Sequence, residues 1–427
     1  MISYLKNPEI QSWEKIFCRP KLEEKKLSQI VEKIWDEVRL KNDNALMELT
    51  KKFDGCKIQD FKVSESKIKQ SKNNIDIDLR KSILVAYDNI YRFHNSQIKP
   101  NAKIEISPGV KCWRESRPIN NVGLYIPGGS APLFSTLLML GIPAKIAGVK
   151  NINIVTPPNE NGEIDDVILY VASILEISNI FKIGGAQSIA ALSMGTNTIP
   201  KVDKIFGPGN QYVTKSKFFA SNNGTDIDML SGPSEVFIIA DNSCNPKYVA
   251  ADLLSQAEHG PDSQFILATD DKSVIVNVQK EIEEQLLSLP RAETIIKSIK
   301  NSFLVNFENI NDCVKLSNFY APEHLIIASK NFENHIDKIM NAGSVFLGNY
   351  SCESAGDYAS GTNHVLPTGG LPLTRSGISV DSFLKTITFQ KLTSNGLKSI
   401  GPAIINMADA EGMHAHSNSV KIRIDKK

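Results

Sequence analysis

Between residues 22 and 53, and again between 64 and 98, apolar side chains recur every three or four positions among charged ones. That spacing puts them on one face of a 3.6-residue helix, so this stretch reads as amphipathic helices forming a packing layer. After Pro118 the pattern changes. Short β-rich runs (NVGLYI, NINIVT, NIFKIG, KIFG) alternate with helical stretches at 133–148, 164–177, 188–194 and 211–220. Strands alternating with helices predict βαβ units around a parallel sheet. A second series follows, with strands expected at EVFIIA, QFILAT, FLVNF, HLIIAS and SVFLG and helices around 282–289 and 334–340. The chain therefore reads as two α/β units. Between them lies DMLSGPSEV, whose Gly-Pro-Ser turn suits either a hinge or a loop closing over a site. The tail from Ser376 is a separate piece, expected to be helical at 383–392 and 401–410 and to end in a β-like run, VKIRI. No internal repeat or low-complexity tract interrupts this order.

Composition narrows the functional classes. The 427 residues carry 48 Lys and Arg against 47 Asp and Glu, a net charge of +1, which leaves no excess to hold a polyanion by counterion release. Nucleic acid and anionic membrane are not expected partners. Six cysteines (Cys18, Cys56, Cys112, Cys244, Cys313, Cys352) are scattered singly, without a C-x-x-C pair, and read as the reduced thiols of a cytoplasmic protein. The start, MISYLKNPEIQSWEKIF, lacks an apolar signal core. The most apolar stretch, 133–149, is interrupted by Gly141, Pro143 and Lys145 and is too short for a bilayer.

Open α/β sheets present their strand carboxyl ends to ligands, so the Gly-rich loops after strands are where chemistry is sought. Three stand out: YIPGGSAP (125–132), IGGAQS (183–188) and FGPGNQY (206–212). Glycines there allow backbone N–H groups to approach a phosphate beside a helix N-terminus. None matches G-x-G-x-x-G, and plain tight turns fit the glycines equally well. Of seven histidines, His94 and His335 lie in helical patterns and read as surface residues. In LLSQAEHGPD, Gln256 and His259 stand three apart near a helix end closed by Gly260-Pro261. The negative end of the helix dipole favours a cation there, although an ordinary helix-end surface histidine is the simpler reading. YAPEHL sets Glu323 beside His324 at a strand start, where carboxyl and imidazole can serve as separate proton-transfer groups. The long polar loop SCESAGDYASGTNHVLPTGG adds Glu353, Asp357 and His364, and EGMHAH adds Glu411, His414 and His416. Together these offer N and O ligands for one borderline divalent ion such as zinc, dispersed over more than a hundred residues.

In order along the chain, YIPGGSAPLFST, GGAQSIAAL, FGPGNQYV, SGPSEV, LLSQAEHGPDSQ, APEHL and ESAGDYASGTNHVLPTGG resemble the histidinol dehydrogenase family. The resemblance covers nearly the whole chain. It implies two incomplete Rossmann-like domains with parallel sheets, plus small terminal segments exchanged between the subunits of a cytoplasmic homodimer. On that pattern 1–21 is an N-terminal helical segment. Residues 22–124 and 236–376 form an α/β domain carrying most zinc and catalytic residues, 125–235 a Rossmann-like NAD-contacting domain, and 377–427 a tail supplying a ligand to the partner's site.

The activity implied is oxidation of L-histidinol through L-histidinal to L-histidine, using two NAD and one Zn²⁺ per subunit. Carried over position by position, the zinc ligands are Gln256, His259, Asp357 and His416, which also bind substrate. Glu323 and His324 are the catalytic pair, with His324 touching substrate as well; Ser234, His364 and Glu411 contact substrate; Tyr125, Gln187 and Asn210 contact NAD. Chemistry alone prefers Glu258 to Gln256 as ligand, and the resemblance decides that choice. His414, two residues before His416, is a competing ligand. A zinc hydrolase without nucleotide, or a non-catalytic small-molecule binder, would use overlapping features.

Overall fold

The structure is a computed structural model and describes residues 2–20, 24–128, 132–229 and 232–425. Parts of YIPGGSAP (129–131) and of DMLSGPSEV (230–231) therefore lie outside the described residues. In chain order the strands are β1 (Ser3–Lys6), β2 (Ile104–Ser107), β3 (Val110–Pro118), β4 (Asn121–Tyr125), β5 (Asn151–Thr156), β6 (Ile180–Lys182) and β7 (Lys204–Phe206). They continue with β8 (Asp226–Ile227), β9 (Glu235–Ala240), β10 (Gln264–Thr269), β11 (Phe303–Asn306), β12 (His324–Ala328), β13 (Ser344–Leu347) and β14 (Leu384–Leu392).

One five-stranded sheet runs β6-β5-β4-β7-β8 and a six-stranded sheet runs β1-β11-β10-β9-β12-β13, with all neighbours parallel in both. Every residue of β9 and β10 is buried, which is why EVFIIA and QFILAT are near-continuous apolar runs: helices cover both faces of a parallel sheet. These are the two α/β units of the sequence reading. A three-stranded antiparallel sheet, β14-β3-β2, completes the molecule. No helix among the described residues is long and apolar enough to cross a membrane.

Several expectations need correction. Residues 1–21 are not wholly helical, because Ser3–Lys6 pairs with β11 as an edge strand and only short helical turns follow at Ile10–Ser12 and Trp13–Ile16. Four strand residues are too few to show a pattern. The tail reverses two assignments. Leu384–Leu392 is a strand paired along its length with β3; its Thr386-Ile387-Thr388-Phe389 core is β-branched and aromatic, and Phe389 stacks on Trp113 with ring centroids 5.5 Å apart. VKIRI instead ends the helix His414–Ile424. Its Val420 and Ile424, four apart, close on Gly401 of the helix Ser394–Ala410, where a Cβ would stand 3.3 Å from each.

The packing of the first helices also differs from the expected grouping of 22–124 with 236–376. Trp35, Leu46 and Leu49, from helices Glu24–Lys41 and Asp43–Phe53, share a core with Ile189 and Leu192 of the five-stranded unit. Ile83 and Ile90, on helix Ile77–Asn95, join Leu137 and Met139 there too. His94 continues that inward row and is completely buried, its Nδ1 2.9 Å from the Ile90 carbonyl and its Nε2 3.2 Å from the Asn363 amide. His335 is buried as well. Periodicity identifies a face but not which polar residue on it turns inward.

Candidate active site

Helix Ile310–Tyr320 ends with Ala321 at φ +50°, and Pro322 then prevents its continuation, so the chain turns directly into β12. This brings Glu323 and His324 to the amino-terminal edge of the six-stranded sheet, beside Glu235 of β9; His324 pairs in register with Val236. Glu323 Oε2 accepts a hydrogen bond from the Glu235 N–H at 2.9 Å, and His324 Nδ1 lies 3.2 Å from the Glu235 carbonyl. Arg19 clamps this corner from the N-terminal segment. Its guanidinium binds both Glu235 carboxylate oxygens at 2.5 and 3.0 Å, donates to the Tyr320 carbonyl at 2.7 Å, and lies 4.0 Å over the Tyr320 ring.

Two helices face that corner. Helix Pro246–Ala257 delivers Gln256 fully buried, while His259, just past its end, opens toward the site mouth. The segment expected as a polar loop contains a short helix, Glu353–Tyr358, whose Glu353 and Asp357 stand four apart on one face. Ligand atoms of His259, Glu353 and Asp357 lie within 4.8 Å of one another. In the amide orientation that satisfies both groups, Gln256 donates to the Glu353 carboxylate and accepts from the Glu235 N–H at 2.9 Å. His324 Nδ1 is 3.6 Å from Glu353 and 3.7 Å from Glu323, and its Nε2 is 3.6 Å from Asp357. His364 Nδ1 lies 2.8 Å from the Asp357 carbonyl and so donates to it, leaving Nε2 to accept from the Thr136 hydroxyl at 3.1 Å.

The charge balance is strongly one-sided. Burial pushes the Glu323 and Glu353 carboxyls up to about 8 each, against the pull of the neighbouring imidazole. Burial would lower His324, but Glu353, Glu323 and Asp357 outweigh it and raise the imidazole to about 10. Burial lowers His364, whose ring is neutral. Three carboxyls around one imidazole, with an adjoining amide and a second imidazole at the mouth, form a donor set that suits a divalent cation.

The other half of the site lies at the carboxyl ends of the five-stranded sheet. Tyr125 closes β4, Gln187 sits in the first turn of helix Gly185–Met194, and Asn210 caps helix Gln211–Asn222, its Oδ1 accepting from Tyr212 N–H at 3.0 Å and Val213 N–H at 3.1 Å. All three line one cavity of about 950 Å³. Gln187 is 1% exposed and its Nε2 has no hydrogen-bond partner among the described residues. The turn after β7 needs glycine: Gly207 has φ +121°, and a Cβ there would stand 2.1 Å from the Tyr125 carbonyl oxygen. Beneath it, the buried Lys217 ammonium binds the Asp228 carboxylate and the Gly207 carbonyl. A second cavity, of about 550 Å³, is lined by Asn210, Ser234 and His259 and so joins the two halves.

Of the sequence-predicted residues, Ser234, Gln256, His259, Glu323, His324, Asp357 and His364 thus gather at one end of the interdomain cleft, and Tyr125, Gln187 and Asn210 at the other. Glu411 and His416 are not brought there within one chain. Both are exposed on the tail, whose two helices pack on each other, the first of them also on β14, and His414 binds Asp409 at 3.3 Å. Glu353, one of the possible ligands the sequence offers but outside the set the resemblance implies, lies buried in the cluster; its spacing of four from Asp357 is the signal that places the two on one helical face.

Fold and site together define a two-sheet α/β protein that sets a histidine–carboxylate pair opposite a cleft shaped for an extended ligand. Comparison with known proteins is consistent throughout. Residues 18–424 match the family model for histidinol dehydrogenase. The chain is 47% identical to the histidinol dehydrogenase of Bacteroides thetaiotaomicron, over 100% of this chain and 99% of that one. It is 47% identical to the chloroplastic histidinol dehydrogenase of Arabidopsis thaliana, over 99% and 90%. A crystal structure of histidinol dehydrogenase from Elizabethkingia anophelis matches with a TM-score of 0.97 at 51% identity, covering 99% of this chain and 98% of that one. The chain belongs to the histidinol dehydrogenase family.

Proposed function

We propose that the chain oxidises L-histidinol through L-histidinal to L-histidine, the closing steps of histidine biosynthesis, as a cytoplasmic homodimer using two NAD and one Zn²⁺ per subunit. The observation that carries this reading is the placement of Glu323 and His324 beside the His259–Asp357 cluster, with a cavity leading from it to the Asn210 loop. Gln256, His259 and Asp357 would hold zinc, with His416 of the exposed tail supplied by a second subunit. When bound there, zinc would offset the charge of Asp357 and supply a Lewis-acid anchor for the substrate's amine and imidazole, with no redox chemistry of its own. Tyr125, Gln187 and Asn210 would hold NAD, which would supply the hydride acceptor.

A cation held at Asp357 would offset the carboxylate charge that raises His324 and would draw Glu323 toward its ionised form, leaving both able to take a proton. His324 then accepts the alcohol proton as hydride leaves the carbinol carbon, giving the aldehyde. Glu323 then accepts a proton from the water that adds to that aldehyde, and loss of a second hydride from the hydrated carbon gives the carboxylate. Glu235 holds both groups in place, its N–H on Glu323 and its carbonyl beside His324. Ser234 and His364 line the substrate side, and Glu411 joins them from the partner's tail.

The test is stoichiometry. Two NADH should form for each L-histidinol consumed, with L-histidine as product. One NADH per histidinol with aldehyde released refutes the four-electron reading, and turnover of an ester or amide without NADH favours the hydrolase. The six unpaired cysteines agree with a reducing compartment.

A further inference from the structure

Within the 950 Å³ cavity one carboxylate is left without a partner. Asp54 follows directly on helix Asp43–Phe53, where its backbone N–H caps the Thr50 carbonyl at 2.8 Å. Its side chain makes no hydrogen bond or ion pair among the described residues, and its Oδ2 is buried. Burial raises this carboxyl to about 6. The other acids lining the cavity are already engaged or solvated: Glu163 pairs with Lys67, Asp165 caps Val167 N–H, and Glu160 is exposed. Lys52, the lone ammonium on the lining, lies over the Phe53 ring 5.1 Å away and forms no ion pair with Asp54.

Position gives this orphan acceptor a meaning. Phe53, Ile30, Ile34 and Pro157 give the cavity lining apolar side chains on which a planar base can rest. The same cavity is lined by Gly185, Gln187 and Asn210 at the N-termini of helices Gly185–Met194 and Gln211–Asn222, with Gln187 Nε2 buried and without a partner among the described residues, an arrangement that receives a pyrophosphate. Asp54 lines this same cavity together with Tyr125, so a sugar joining base to pyrophosphate inside it has this carboxylate as an unpaired acceptor among the described residues. A carboxylate with no donor of its own accepts from a vicinal diol, and it repels a phosphate dianion placed on that diol.

We propose that Asp54 receives the adenosine ribose hydroxyls and makes the cleft choose NAD over its 2′-phosphorylated form, NADP. This rests on the proposed use of a nicotinamide dinucleotide. Asp54 is then a specificity-determining residue rather than a proton-transfer group.

The experiment compares kcat/KM for NAD and NADP, at saturating L-histidinol, in the wild-type enzyme and in Asp54→Asn and Asp54→Ser. Dissociation constants for both dinucleotides are measured alongside, by titration without substrate. Loss of one charged acceptor should weaken NAD binding about tenfold to a hundredfold, through KM with kcat little changed. NADP should be unaffected or improved, so that the preference for NAD falls by about a hundredfold. An unchanged NAD to NADP ratio in both variants, with melting temperatures like the wild type, overturns the proposal. So does a Glu160→Gln variant that moves the ratio as far as Asp54→Asn, because diffuse rim charge then makes the choice. Wild-type enzyme that binds neither dinucleotide is a different result and refutes the underlying reading as well.

Discussion

Replacing Lys217 by Met tests how the proposed dinucleotide cleft is held in shape. The ammonium and the Asp228 carboxylate are 1% and 0% exposed, so neither is screened by water. Lys217 Nζ also donates to the Gly207 carbonyl at 3.0 Å, and Asp228 Oδ2 accepts from Gly207 N–H at 2.7 Å, so one ion pair grips both sides of the peptide that approaches Tyr125. Removing one partner of a buried pair costs about 3–5 kcal/mol, because a charge is left uncompensated. Asp228 would keep two backbone donors, Gly207 N–H and Met229 N–H at 2.6 Å, which places the cost near the lower end, at about 3 kcal/mol. The double variant Lys217→Met/Asp228→Asn removes the stranded charge and keeps an oxygen for one of those two donors, while the other loses its acceptor to the amide nitrogen. Its expected cost is about 1 kcal/mol, a coupling of about 2 kcal/mol or more between the sites. Urea unfolding at pH 7 reads this directly: with a slope of about 3 kcal/mol/M or steeper, the single variant's midpoint falls by up to about 1 M and the double variant recovers most of it. A single variant within about 1 kcal/mol of wild type, or a double variant as unstable as the two singles summed, would refute the reasoning.

Three further outcomes are expected. Gly207→Ala should abolish dinucleotide binding and destabilise the protein, because its Cβ meets the Tyr125 carbonyl at 2.1 Å, whereas Gly224→Ala, also at positive φ but with nothing within 4 Å, should cost only about 1 kcal/mol of backbone strain; calorimetric titration and urea midpoints separate the two. Burial raises Asp252 from an ordinary 3.8 to about 7, so between those values the folded chain keeps a proton that the unfolded chain has released: stability falls as pH rises through that window, and Asp252→Asn should gain on the order of 2–4 kcal/mol at pH 8 and almost nothing at pH 4, read as urea midpoints at both. If His416 completes a neighbour's site, mixing inactive His416→Ala with inactive His259→Ala chains should restore activity in heterodimers, where one site collects both defects and the other is intact; heterodimers without activity would place His416 in its own subunit's site.

What the sequence makes legible follows from which signals are local. β9 and β10 announce themselves because every residue is buried, and the helices around Trp35 and Ile83 because one face is. Glu323 and His324 stand out because a helix stop and a strand start flank them within a few residues. Choices of side were not legible. Gln256 rather than Glu258 turns inward because residue 256 lies on the buried face of its helix while 258 caps the end, part exposed, and no spacing of two residues reveals that. Glu353 enters the cluster only once residues 353–358 are known to coil, and His94 is buried only because Asn363, 269 residues away, reaches its ring. Sheet partners at long range misled in the same way: Leu384–Leu392 extends because β3 is there to pair with it.

The missing G-x-G-x-x-G fingerprint has a physical counterpart in how the two α/β units are turned. The five-stranded sheet faces the cleft with the carboxyl ends of β4, β6 and β7, and hence with the N-termini of the helices that follow β6 and β7, whose partial positive charge suits an anionic pyrophosphate. The six-stranded sheet faces it with the amino ends of β9 and β12, and hence with the end of helix Pro246–Ala257, whose partial negative charge adds to that of Asp357 beside the Glu323 and Glu353 carboxyls. One architecture presented by opposite ends therefore sets an anion-binding wall against a cation-binding wall. The proposed transfer of hydride from a cation-anchored alcohol to a dinucleotide would use that opposition without a glycine fingerprint, because Gly207 and Gly209 already let the loop after β7 close on Tyr125.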